Sequence, residues 1–212
     1  SLMERWLMQI NCSLYDALKE NYKVSVFQFP FHGRNEHIQK ENFRMDYFAQ
    51  QLYVFTEEHQ LKGSIVFGYS MGGYAALTTE SFHPGTFSRI ITLGTKFNWT
   101  KESAAADTKR LNPEIMQQKV PAYVEPLVNL FGSNWTEVVK CTAQLMQALG
   151  ENKILFPEVL KIINCPVTIL HGEHDKIVTR EESLETVLHL SGAGYHELKN
   201  IGHSFELAEM SE

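Results

Sequence analysis

The stretch Ser64-Ile65-Val66-Phe67-Gly68-Tyr69-Ser70-Met71-Gly72-Gly73-Tyr74-Ala75-Ala76-Leu77 decides how the rest of the chain is read. It opens on a short apolar run of strand type and closes on a helical run that His83-Pro84-Gly85 brings to an end. Between them, Gly68-Tyr69-Ser70-Met71-Gly72 fits the pattern G-x-S-x-G at a strand-to-helix junction. A serine hydroxyl is a poor nucleophile unless it is exposed, near a base and beside donors for an oxyanion. A tight turn supplies the exposure, and the Met71 N–H is then one donor. The plainer reading, a glycine-rich turn with an incidental serine, leaves the strand before it and the helix after it unexplained.

The flanking segments repeat the same alternation. Leu7, Ile10, Leu14 and Leu18 recur at helical spacing from Met3 to about Asn21, and Val24 to Phe29 reads as a strand closed by Pro30 and Gly33. Met45, Phe48, Leu52 and Phe55 predict a second amphipathic helix, and Arg89 to Leu93 a further buried strand. After Asn164 the rhythm resumes with a strand at Val167 to Leu170 and a helix opened by Thr179 with Glu182, a capping box. A last strand is expected at Tyr195 to Leu198 and a last helix from Ser204. Apolar strands alternating with helices require a mostly parallel sheet covered by helices, so the fold class is α/β. Between Gly94 and Asn164 no strand pattern survives, and Pro113, Pro121, Pro126 and Pro157 punctuate short helical stretches. The expected organisation is a core of residues 1–95 and 165–212 with a helical cap insertion at 96–164.

Composition narrows the function classes. In 212 residues, 43% hydrophobic and 21% charged describe a globular chain with one substantial core. A net charge of −6 without a Lys/Arg run argues against nucleic-acid or anionic-membrane surfaces, and no apolar run approaches the ~18 residues needed to cross a bilayer. Cys12, Cys141 and Cys165 are an odd set without metal-type spacing, read as reduced thiols of a cytoplasmic protein. The expected partner is a small molecule, with no cofactor.

Here the sequence resembles the α/β-hydrolase family over nearly its whole length. Phe29-Pro30-Phe31-His32-Gly33-Arg34-Asn35 is similar to the family loop D-x-P-G-H-G-x-S, with Gln28, Phe31 and Asn35 departing from it. His171-Gly172-Glu173-His174-Asp175 ends a strand as the family's acid turn does, and Gly202-His203-Ser204 follows the last strand as its histidine does. The order Ser70, Asp175, His203 is the family's nucleophile, acid and base, each just beyond a predicted strand end, where open α/β sheets assemble their sites. Glu173 is the local rival to Asp175. Met71, Tyr69 and His32 are the expected oxyanion and substrate-binding residues, and Trp99, Phe131, Trp135, Met146 and Phe156 candidates for an apolar roof. His171, His174 and Asp175 invite a metal reading, but on a strand ending in a turn they would not converge on one ion. The resemblance implies a serine hydrolase acting on a carboxylic ester of a small or medium acyl group. The alternatives are a thioesterase or acyltransferase with the same triad, and a catalytically impaired binding protein. Ser70 sets the chain apart from family members that use an aspartate there.

Family members carry strands before the first helix, with a His-Gly pair after the third that supplies a second oxyanion donor. This chain shows neither, and that third strand normally lies between those expected here at 24–29 and 64–68. The favoured expectation is a shortened form of a longer enzyme. The others are direct pairing of the two strands, rearrangement of the first residues, or a partner chain that completes the sheet as a homodimer. Loss of one donor would cost about 10²–10³ in rate.

Overall fold

The computed structural model describes residues 12–34 and 36–203. Among them the chain forms α1 (Cys12–Lys19), α2 (Met45–Glu58), β1 (Ser64–Tyr69), α3 (Met71–Phe82) and β2 (Phe87–Leu93). The insertion follows as α4 (Lys101–Thr108), α5 (Pro113–Lys119), α6 (Pro121–Phe131), α7 (Trp135–Glu151) and α8 (Pro157–Lys161). Then come β3 (Val167–Gly172), α9 (Arg180–His189) and β4 (Gly194–Leu198). The strands build one parallel sheet in the order β1-β2-β3-β4, with Val66 opposite Ile90, Ile91 opposite Thr168 and Leu170 opposite His196. The last helix expected from Ser204 and the first eleven residues, with the first part of the helix expected from Met3, lie outside the described residues.

α3 explains how the sheet is held. Residues Gly73 to Glu80 are buried without interruption, because α3 packs against both β1 and β2 and is covered in turn by α2. Ala75, Ala76 and Leu77 share one buried cluster with Phe48 and Leu52, and the Thr79 hydroxyl donates to the Ala49 carbonyl at 3.0 Å. The buried Glu80 carboxylate is not stranded, since it accepts from the Gly85 and Phe87 amides at 2.7 and 3.0 Å and so closes the turn into β2.

One predicted strand is absent. Val24 to Phe29 forms no ladder, and among the described residues β1 pairs only with β2. Strand propensity sets side-chain fit to a pleated surface, but a strand exists only when a neighbour supplies its hydrogen bonds. This segment is held instead by its aromatic side chains: Phe27 lies 5.2 Å from Phe55, and Phe29 lies 5.2 Å from Phe48, between ring centroids. Direct pairing with residues 64–68, one of the alternatives, does not occur among the described residues. β1, read as buried throughout, is half-covered, with Ile65 56% and Phe67 38% exposed.

The prolines of the insertion begin helices more often than they break them. Pro113, Pro121 and Pro157 each stand in the first turn, where a missing N–H costs nothing, and Pro126 alone lies inside a helix. Asn112 caps α5 by accepting from the Ile115 amide, and Thr100 with Ser103 forms a capping box on α4. α7 buries Trp135, Val138, Val139, Cys141, Leu145 and Leu149.

Candidate functional site

Ser70 is set by a conformation few residues adopt. It leaves β1 with φ 50° and ψ −116° and becomes the N-cap of α3, a strained geometry for a residue with a Cβ. Its amide donates to the Leu93 carbonyl at 2.8 Å, and its carbonyl accepts from the Thr95 hydroxyl at 2.9 Å. The close approach of strand and helix depends on Gly68 and Gly73. A Cβ on Gly68 would stand 2.4 Å from the Gly73 nitrogen, and one on Gly73 would stand 2.1 Å from Thr95 Oγ1. Gly72, the last glycine of the G-x-S-x-G pattern, faces open space.

Three side chains from three strand ends meet. Ser70 Oγ lies 3.4 Å from His203 Nε2, and His203 Nδ1 lies 2.8 Å from Asp175 Oδ2. The first distance exceeds the roughly 2.6–3.2 Å of an engaged donor, as is usual before substrate binds. Asp175 is fixed on both sides, because its Oδ1 accepts from the Ile177 and Val178 amides at 2.8 and 2.9 Å. Burial opposes its ionisation, its side chain being 1% exposed, yet the hydrogen bonds from His203, Val178 and Ile177 outweigh that and hold the carboxyl below its ordinary pKa. An ionised Asp175 selects the Nδ1–H tautomer of His203 and leaves the Nε2 lone pair toward Ser70.

The loop bearing His203 is braced by the turn after β3. Glu173, the rival acid, turns away from His203 and accepts from the Asn200 amide at 3.0 Å, which supports Asn200 at φ 58°. The His174 amide donates to the Ile201 carbonyl at 2.8 Å, and Gly172 lets Ile201 approach where a Cβ would stand 2.5 Å from its oxygen. Gly94, at φ 59°, fits beneath the pair: a Cβ there would lie 3.3 Å from Asp175 Oδ2 and 3.4 Å from His203 Nδ1. His171 Nε2 faces the Val178 carbonyl at 3.1 Å while Asp175 faces His203, so the two side chains diverge.

A cavity of about 310 Å³ opens at Ser70 and His203. Met71, Tyr74, Leu145, Met146 and Leu149 give it apolar walls, so the insertion contributes through α7. Of the aromatic candidates for a roof, Trp99 lines it, whereas Phe131 and Trp135 are core residues and Phe156 is 44% exposed. Met146 lines it as expected.

Two expected substrate-binding residues have other roles. His32 does not line the cavity: its ring packs 5.3 Å from Phe43, 5.6 Å from Phe48 and 5.9 Å from Phe131, and its Nδ1–H donates to the Pro30 carbonyl at 2.9 Å. Burial in that aromatic nest lowers its pKa. Tyr69 does not line the cavity either; its hydroxyl donates to the His203 carbonyl and helps to hold that loop. Met71 does line it, at the first turn of α3, where backbone N–H groups lack intrahelical acceptors. Sequence reasoning missed Gly94, Lys96 and Arg110. Gly94 and Lys96 share a position just beyond the end of β2, whereas Arg110, after α4, has no local signal.

Residues 5–131 match the family model of the alpha/beta hydrolase fold. The chain is 23% identical over 175 residues to the mouse (Mus musculus) serine hydrolase BPHL, covering 78% of this chain and 58% of that protein. The esterase EaEST of Exiguobacterium antarcticum superposes with a TM-score of 0.69 at 18% identity, over 96% of this chain and 80% of its own. NosK of Streptomyces actuosus gives 0.74 at 17% identity, over 91% and 82%. No helix among the described residues is long and apolar enough to cross a membrane.

Proposed function

The chain belongs to the α/β-hydrolase fold family, and on that footing we propose that it is a serine hydrolase cleaving carboxylic esters of small or medium acyl groups through an acyl-enzyme on Ser70. The observation that carries this reading is the run from Ser70 Oγ to His203 Nε2 at 3.4 Å and from His203 Nδ1 to Asp175 Oδ2 at 2.8 Å, opening on an apolar cavity. The names serine hydrolase and esterase carried by a relative and by a structural neighbour support it.

His203 Nε2 takes the Ser70 proton as Oγ bonds to the acyl carbon, and the Met71 N–H donates to the oxyanion that forms. Collapse breaks the bond to the leaving alkoxide, which receives the proton from His203. Water then attacks the acyl-enzyme, giving its proton to His203. The bond to Ser70 Oγ breaks, the acid departs, and the proton returns to Ser70. Asp175 stays ionised throughout and stabilises the imidazolium.

A fluorophosphonate probe tests this. It is expected to form one adduct, on Ser70, and Ser70→Ala is expected to lose both the adduct and ester turnover. A wild-type chain that neither labels nor turns over short esters would instead be a binding protein. Matched ester and thioester panels separate ester hydrolysis from the thioesterase or acyltransferase reading, which uses the same triad.

A further inference from the structure

Besides Ser70, His203 and Thr142, the polar lining of the cavity is one cluster: Lys96 from the loop after β2, Trp99 before α4, Asp107 in the last turn of α4 and Arg110 just after it. Lys96 is committed. Its Nζ lies 3.3 Å from Asp107 Oδ2 and 3.9 Å from Glu182 Oε2, and it stands 5.5 Å from the centre of the Trp99 ring. Two other groups are not committed. The Trp99 Nε1–H is buried without a hydrogen-bond partner, and the Arg110 guanidinium, exposed at the rim of the cavity, pairs with no carboxylate among the described residues. Both groups are donors only, so what they lack is an acceptor. Asp107 Oδ2 is also buried without a hydrogen bond, but the Lys96 ammonium 3.3 Å away balances its charge.

Resting on the reading of Ser70 as nucleophile, we propose that this cluster receives a carboxylate carried by the substrate, so that the preferred ester is a half-ester of a short dicarboxylic acid. A guanidinium fork matches a carboxylate in two parallel hydrogen bonds, and an indole N–H adds a third donor. The Trp99 Nε1–H, buried without a partner, carries a desolvation cost that such a substrate removes and a neutral acyl chain does not, while Arg110 at the rim supplies the charge. The volume of about 310 Å³ keeps the chain between the two carboxyl carbons short.

The test compares mono-4-nitrophenyl glutarate with 4-nitrophenyl butyrate. Wild type is expected to favour the anionic ester by about tenfold or more in kcat/KM, as charge-assisted hydrogen bonds do. Arg110→Gln should reduce that ratio by about tenfold, Arg110→Lys should keep part of it, and Trp99→Phe should lower it less. A ratio unchanged by Arg110→Gln overturns the proposal. So does a preference for an ammonium-bearing ester that disappears in Asp107→Asn. If neither ester is turned over, the reading of Ser70 fails, and calorimetric titration with glutarate still decides the cluster. Binding by wild type that weakens about tenfold in Arg110→Gln supports the cluster, and no binding overturns it.

Discussion

Asp175 and Glu173 occupy the same turn after β3, and their neighbours separate their chemistry. Asp175 has His203 on one oxygen and two backbone amides on the other, while Glu173 holds the Asn200 amide and lies 3.8 Å from Lys199. Asp175→Asn should therefore preserve the fold and lower ester turnover by about 10⁴, because an amide no longer selects the Nδ1–H tautomer. Glu173→Gln should leave turnover within a few-fold. Circular dichroism and steady-state kinetics on the two variants check this, and the reverse ranking would move the acid role to Glu173. That Ser70, Asp175 and His203 would meet was legible because each falls beside a recognisable strand end, in the chain order that the α/β-hydrolase family shares. Arg110 was not legible, and Trp99 was read only for its apolar ring and not for its N–H. What distinguishes them is the lack of a partner, which depends on how α4 folds back toward Lys96 and leaves no local pattern.

At the scale of elements, α3 shows where a motif and a structure weight residues differently. The G-x-S-x-G pattern draws attention to Gly72, yet Gly73 beside it makes the contact, against Thr95 and Thr92. Both glycines lie in the first turn of α3, so alanine offers each up to about 1 kcal/mol of helix propensity. At Gly72 nothing opposes that gain, and Gly72→Ala should be neutral or stabilising. At Gly73 the methyl meets atoms at 2.1 and 2.9 Å, and Gly73→Ala should destabilise by about 1–3 kcal/mol. Urea unfolding of the pair checks the opposite signs. The strand expected at 24–29 is the converse case. Its alternation and aromatic content were real signals, now seen in the packing of Phe27 and Phe29, but periodicity reports a face to bury and not a neighbour to pair with. The helices of the insertion were visible mainly through α7, because only that helix is long enough for its apolar face to repeat.

For the molecule as a whole, the dependence of stability on pH in acid draws on two buried or partly buried groups above all, with the exposed Glu102 and Glu173 carboxyls, also lowered, adding to the lower decline. Burial among Phe29, Phe43, Phe48 and Phe131 favours neutral His32, partly opposed by its bond to the Pro30 carbonyl and by the Glu36 carboxylate, and its pKa falls below the ordinary value of about 6.5. Between that lowered value and about 6.5 the unfolded chain binds a proton that the folded chain does not. Stability linked to His32 is thus complete above about 6.5 and declines as pH falls toward the folded value. Asp175 has the same sign at lower pH: its contribution is complete above the ordinary carboxyl value of about 3.9 and is lost as pH falls through its depressed one. Two declines, separated by a plateau, are expected in acid. Denaturant midpoints measured from pH 8 to pH 3 should show both for the wild type, the upper one flattened in His32→Gln and the lower one in Asp175→Asn. His32→Gln also removes a ring from the nest, so its stability should be lower at every pH, and the slope between about pH 7 and pH 5 is the decisive quantity. A slope there equal to that of the wild type would mean that His32 takes up its proton in the folded chain as readily as in the unfolded one.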